Sequence, residues 1–314
     1  MQGYDEQTEV LTTDGWIPFK RLDTDYQVAT LVDGSYLVYE HPTAVYAHDY
    51  KGFMHRFKTA NIDLLVTPDQ KLWVSELGPK QFNLVAASEV ADRPMCFELD
   101  INEIRDGSTS EFFTLPECMH YPAKQLDLSA WLLLYGTFAF RGLLVGQSVG
   151  LTLASVRAAE DMRTACMTLG FAFREQSNDQ LVWTFDDPQL YAYLSNSPRA
   201  LGSWVWDLDT YHADELLDNI MCSGRGDDRG YVLRASHRDP IDAVQRLSVH
   251  AGLVTITSRE GSSHLLRVQH VDDVNPIAPL AEIVQYRGKV YGCKVVSGVI
   301  CVRRNGVIGF SGAC

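Results

Sequence analysis

The residues best able to do covalent chemistry gather near the end of the chain. Cys293 stands in VYGC, Ser311 in GFSG, and Cys314 closes the run GAC. A thiol attacks a carbonyl as its thiolate, so a working cysteine here needs surroundings that lower its pKa. Seven cysteines, at 96, 118, 166, 222, 293, 301 and 314, make an odd and scattered set without a CxxC pair. That excludes a disulfide framework or a cysteine-pair metal site and makes each thiol an individual question. A second group lies in TPDQKLW, where Thr67, Gln70 and Trp73 offer a hydroxyl, a carboxamide and an indole. A carboxamide can hydrogen-bond a carbonyl or an amide nitrogen but cannot exchange a proton near pH 7. Each residue also has a plainer reading. Thr67 and Gln70 fit a TPD turn, Trp73 a core aromatic, Cys293 a buried strand cysteine, and Ser311 a loop serine.

The elements that must hold these groups are mostly strands. Residues 8–74 break into short alternating runs, TEVLTT, WIPF, YQVATLV, SYLVYEHPTAVYAH, FMHRFKT and IDLLVT. Gly15, Asp33-Gly34 and Lys51-Gly52 punctuate them as turns. The tail from Tyr286 to Cys314 alternates at period two and is interrupted at Ser297-Gly298 and Asn305-Gly306, which predicts strand, turn, strand, turn and a short last strand. Between about 124 and 274 the pattern changes. LDLSAWLLLYGTFAFRG and ASVRAAEDMRTACMTLG predict helices ending at Gly142 and Gly170, and FAFREQSNDQLVWTF predicts a hairpin. ADELLDNIMCSGRG, YVLRAS, DPIDAVQRLSVHAG and LVTITSRE then predict helix, strand, helix and strand. TLGFAFRE and HAGLVTITSRE, some 82 residues apart, read as an internal repeat of helix, glycine and strand.

At 314 residues, 46% of them hydrophobic, the chain is long enough for two domains with sizeable cores. Its net charge of −13 argues against general binding to nucleic acid or a membrane surface, both of which need concentrated Lys and Arg. No run of eighteen apolar residues is present, and MQGYDEQTE lacks a signal-peptide pattern. The expected setting is a reducing cytoplasm.

Read together, TEVLTTDGW, LLVTPDQKLWV and the tail resemble the ends of an intein, a self-splicing element of the Hint fold. The resemblance implies a mainly β, horseshoe-like, pseudo-two-fold splicing domain. Counting back from Thr8 by the family spacing puts the first intein residue at Gly3, with Met1 and Gln2 as flank. Most inteins carry Cys or Ser there, and glycine has no nucleophile. The family's Thr-x-x-His segment becomes Thr67 to Gln70, with glutamine where the histidine that polarises the scissile amide is expected. Trp73, Cys293 and Ser311 fit the marker set of class 3 inteins, which use an internal cysteine; serine stands for their threonine. Gly312-Ala313-Cys314 then matches the second junction, with Ala313 in place of the cyclising asparagine and Cys314 as the acceptor. The mechanism implied is attack of Cys293 on the carbonyl of Gln2 to form a branched thioester. Trp73 packs beside the thiol, and Thr67 and Gln70 polarise the amide. Transfer to Cys314 follows, and release is blocked at Ala313. No cofactor is required. The partners are the flanking host segments (exteins) in cis, and the expected state is a monomer with no membrane association.

The interior resembles the two halves of a LAGLIDADG homing endonuclease, an α/β passenger of large inteins. The expected division is 1–123 and 275–314 for the splicing domain and 124–274 for the insert. Such an enzyme holds Mg²⁺ with a carboxylate at the end of each motif helix, but Arg141 and Gly224 occupy those places. Cleavage is therefore expected to be lost; an active nuclease would have to use Asp227 or Asp228 with Mg²⁺, and DNA would then be a partner. Three alternatives stay open: a class 1 intein with cysteine replaced by Gly3, a DNA-binding or DNA-cleaving protein on a β scaffold, and a hedgehog-type autoprocessing domain, which would have no use for Cys314.

Overall fold

The computed structural model describes residues 1–314 except 77–80, 99–106, 109, 178–180, 197–200, 223–224, 228–229 and 269–280, with backbone alone at 177, 225–227, 230 and 231. It forms two compact units, Met1–Arg105 with Gly252–Cys314, and Asp106–Ala251.

The first unit opens with β1 (Glu9–Thr12), β2 (Gly15–Pro18), β3 (Val28–Val32) and β4 (Tyr36–Glu40). Next come the long β5 (Ala44–Lys58), β6 (Asp63–Val66), β7 (Lys71–Ser75) and β8 (Asn83–Ala86), then the short α1 (Ala87–Val90) and β9 (Cys96–Phe97). The second unit begins with the hairpin β10 (Phe112–Leu115) and β11 (Lys124–Asp127), then α2 (Leu128–Arg141), β12 (Gly142–Val145), β13 (Ser148–Leu153) and α3 (Val156–Leu169). It continues through β14 (Arg174–Ser177), β15 (Leu181–Phe185), α4 (Pro188–Ser195), α5 (Thr210–Cys222), β16 (Arg225–Asp227), β17 (Gly230–Ala235) and α6 (Arg238–His250). The chain returns to the first unit with β18 (Thr255–Glu260), β19 (Ser263–Val268), β20 (Glu282–Lys294), β21 (Val299–Arg304) and β22 (Val307–Gly312).

Within the first unit β22 pairs β21 and β18, β21 pairs β1 and β3, and β7 joins at Ser311↔Leu72. The two ends of the chain are thereby woven into one antiparallel sheet around a core of Tyr4, Val10, Phe19, Phe57, Val66, Leu72, Val74, Cys293, Ile300 and Val302. Asn305 and Gly306 have φ of 49° and 84°, the left-handed pair that a two-residue hairpin with right-handed twist requires.

The structure departs from the sequence reading in three places. Lys51-Gly52 is not a turn. β5 runs straight through it, paired in thirteen registers with β20, where Gly52 faces Tyr286 and Gly288 faces Tyr50. Tyr50 folds over Gly52 to donate to Phe53 O at 2.8 Å, and Tyr286 folds over Gly288 to donate to Lys289 O at 2.9 Å. A Cβ on either glycine would lie within 3.0 Å of its tyrosine's hydroxyl oxygen. The segments YKG and YRG are therefore local two-fold mates across the ribbon. Second, the unit boundaries fall at 106 and 251 rather than 124 and 274, because the β10–β11 hairpin packs on α2 and β18 pairs β22. Third, that pairing separates the two halves of the expected repeat: β14 lies in the second unit and β18 in the first.

Candidate active site

The start of the chain is threaded between two strands. Tyr4 and Tyr291 on β20 exchange backbone hydrogen bonds of 2.8 and 2.9 Å, and on the other side Asp5 N donates to Leu65 O and Thr67 N to Gly3 O, at 3.2 and 3.0 Å. Arg304, at the end of β21, locks this arrangement through buried ion pairs to Asp5 and Asp63, at 3.0 and 2.5 Å. Gly3 has no spare room. A Cβ there would lie 2.9 Å from Val290 Cβ and 3.3 Å from Tyr291 O.

The end of the chain meets the same place. The Tyr4 hydroxyl and Gln70 Nε2 both donate to Gly312 O, each at 2.6 Å. Gln70 Nε2 also reaches Lys71 O at 3.1 Å and the Tyr4 oxygen at 3.3 Å. With its amide so oriented, Gln70 presents Oε1 to the Cys314 thiol, which donates to it at 3.3 Å. Ala313 N donates to Gly298 O and Cys314 N to Cys293 O, both at 2.8 Å. Ser311 Oγ reaches Lys71 O at 3.5 Å, a long contact. Cys314 Sγ lies directly over Gly292, where a Cβ would come within 2.0 Å of it. The glycine of VYGC is therefore the seat of the last thiol.

The structure brings Gly3, Gln70, Cys293, Gly312, Ala313 and Cys314 together, and it adds Tyr4 and Gly292. Gln70, expected to act on the bond before Gly3, hydrogen-bonds Gly312 O, Lys71 O and the Tyr4 hydroxyl instead. Thr67 is buried beside Gly3, with its backbone on the Gly3 carbonyl and its Oγ1 unpartnered among the described residues. Trp73 does not pack beside Cys293. Strand alternation sends Leu72 and Val74 into the Cys293 core and turns Trp73 the other way, stacked on Phe82 and donating from Nε1 to Glu98.

The electrostatics also differ from expectation. Cys293 is fully buried, and burial, then Cys314 and Glu40, push its thiol up rather than down. Burial also raises Cys314, to about 12, against opposing contributions from the Cys293 backbone and the amino terminus. Tyr4 is raised by burial and then by Cys314, so its hydroxyl remains a neutral donor across the physiological range. Both thiols rest protonated because burial disfavours the charged thiolate.

In the second unit Arg141 ends α2 and lines a cavity of about 440 Å³ with Thr152, Arg234, Ser236 and His237. A divalent cation needs carboxylate oxygens; the described lining offers guanidinium and imidazole groups instead and does not fit one. Asp227 lies on β16 with its side chain undescribed, and Gly224 and Asp228 fall outside the described residues. No helix among the described residues is long and apolar enough to cross a membrane.

No family model matches the chain. It is 28% identical over 81% of its length to an ATP-dependent Clp protease proteolytic subunit of Chlamydomonas moewusii, and 24% identical over 97% to a DNA-directed RNA polymerase subunit beta C-terminal section of Stigeoclonium helveticum. The alignments cover 28% and 36% of those proteins, so the chain spans about a third of the length of the curated relatives it matches. Among solved structures, a splice-inactive AceL NrdHF class 3 split intein aligns over 99% of this chain and 98% of its own, at 8% identity and a TM-score of 0.36. The homing endonuclease I-DmoI, solved in complex with DNA and Mn, aligns over 45% of this chain and 89% of its own, at 14% identity and a TM-score of 0.35.

Proposed function

We propose that the chain is a protein-splicing element of the intein kind, in which the internal thiol Cys293 replaces the missing first-position nucleophile. One observation carries the reading: both ends of the chain converge on Cys293, with Cys314 N on the Cys293 carbonyl and Tyr4 bridged to Tyr291 two residues away. In this mechanism the Cys293 sulfur attacks the Gln2 carbonyl, the C–N bond to Gly3 breaks, and the proton that the thiol gives up ends on the Gly3 nitrogen. Cys314 then attacks the resulting thioester, and Cys293 leaves as thiolate. Asparagine at 313 would next close on its own carbonyl and free the joined flanks; alanine has no nitrogen to do so. The partners are the host segments on either side, and no cofactor takes part.

Two further observations support it. The same chain aligns to about a third of two proteins as unlike as a protease subunit and a polymerase subunit, as a segment independent of its host would. The Val290 contact at Gly3 favours the internal-nucleophile mechanism over a class 1 element that has lost a cysteine. Arg141, where a carboxylate is needed to hold a metal ion, favours a passenger without cleavage activity over an active endonuclease.

The test restores asparagine with Ala313→Asn, fuses reporter proteins of different size to both ends, and follows products on a denaturing gel. Ligated reporters that disappear with Cys293→Ala support the reading. Ligation that survives Cys293→Ala refutes the internal nucleophile, and no ligation from the restored chain refutes splicing.

A further inference from the structure

Tyr4 carries the only hydroxyl that shares the Gly312 carbonyl with Gln70 among the described contacts, and it comes from the opposite end of the chain. It is held from every side. Its backbone bridges Tyr291 and Val66, and its ring is buried and stacked on Phe19 at 5.2 Å and 10°. Gln70 Nε2 donates to its oxygen, so the phenolic proton is directed to Gly312 O. The peptide joining 312 to 313 is therefore anchored at its oxygen by Tyr4 and Gln70 and at its nitrogen by Gly298 O. The next peptide is anchored at its nitrogen by Cys293 O. Between these two units lies the carbonyl of residue 313.

We propose that Tyr4 is a positioning residue for the second junction, so that the segment following the first junction supplies a part that the second needs. This rests on the splicing reading and extends it. The step it serves is attack by the side-chain amide of asparagine at 313 on its own carbonyl. A new C–N bond closes the ring, the bond to the Cys314 nitrogen breaks, and that nitrogen takes the proton the amide gives up. Two donors on the preceding carbonyl fix the backbone entering residue 313, which sets the angle of that attack. Tyr4 touches neither reacting atom and acts through the Gly312 peptide.

The test uses the full chain with Ala313→Asn and reporters at both ends, with and without Tyr4→Phe, which keeps the stacked ring and removes the hydroxyl. Release at the second junction should fall about tenfold, the worth of one hydrogen bond to a well-placed carbonyl, while hydroxylamine release at the first junction changes by less than about twofold. Equal losses at both junctions would mean that Tyr4 only holds the fold, and unchanged release at the second would mean that it positions nothing; either overturns the proposal. A second readout does not need splicing. In the chain with Ala313 in place, the ¹³C shift of the Gly312 carbonyl should move on Tyr4→Phe, and a shift that stays put also overturns the proposal. If the restored parent chain releases nothing, the splicing reading and this role fall together, while the carbonyl shift still reports whether the contact exists.

Discussion

The two units bury polar groups to opposite effect. The first unit encloses Thr67, Gln70, Ser311, Asp5, Asp63 and Arg304; Arg304 pairs with both aspartates, and Gln70 holds the Gly312 carbonyl. At the cavity beside Arg141 in the second unit, the polar side chains Arg234, Ser236 and His237 are exposed. Burying a polar group without partners costs free energy, so buried groups that do find partners mark a place where geometry has been specified. Under the splicing reading proposed above, the chemistry falls to the first unit and the second carries no step of it.

The contrast is broken most directly by a pair of substitutions in the Ala313→Asn chain. Cys293→Ala should abolish ligation, whereas Arg141→Ala, in the other unit, should alter its rate by less than about twofold. A comparable loss from Arg141→Ala would erase the distinction between the units. Next in size is Arg304→Leu, which strands Asp5 and Asp63 as buried carboxylates; urea titration should show a loss of about 3–5 kcal/mol. A smaller effect follows Gly3→Cys, whose side chain must displace Val290. Overpacking of this kind costs about 1–3 kcal/mol, so the variant should melt at lower temperature and gain no splicing once Cys293 is replaced. Full activity from Gly3→Cys with Cys293→Ala would instead favour the class 1 mechanism.

The smallest expected effect is alkaline. Cys166 and Cys314 stand at about 12 in the folded chain against an ordinary value of 9.0. A raised acid favours its neutral form in the fold, so the associated stability is intact below pH 9 and is lost as pH rises from 9 toward 12. Each such thiol removes roughly 1 kcal/mol per pH unit in that window. Denaturation midpoints taken from pH 7 to 11 should stay level to pH 9 and then fall. A level profile to pH 11 would mean that these thiols are open to water. Alkylation gives the kinetic counterpart. Exposed Cys222 should react first near pH 8, with Cys293 and Cys314 protected.

Much of this was legible in the sequence because the signals were local. Asn305-Gly306 announced its hairpin, Gly142 and Gly170 marked helix ends, and VYGC and GAC singled out the two thiols. What stayed hidden depends on partners far along the chain. Lys51-Gly52 looks like a turn until β20, more than two hundred residues later, supplies Tyr286 opposite the glycine. The hydrogen bond from Gln70 to Gly312 was not foreseen because nothing near Gln70 in the sequence indicates Gly312. Tyr4 went unnoticed as an aromatic in a polar leader, although its place one residue after Gly3 was a usable signal. Trp73 was read from a motif, while the alternation of Leu72, Trp73 and Val74 already placed it on the opposite face.

The most direct test of the internal nucleophile needs no restored asparagine. A reporter is fused ahead of Met1 in the chain with Ala313 in place, and the protein is treated with hydroxylamine, which cleaves thioesters but not amides. Mass spectrometry then identifies the released end and the residue that carried it. The account predicts release ending at Gln2, with the thioester mapped to Cys293 or, after transfer, to Cys314, and complete loss of release with Cys293→Ala. Release that persists without Cys293, or no release from the intact chain, would contradict it.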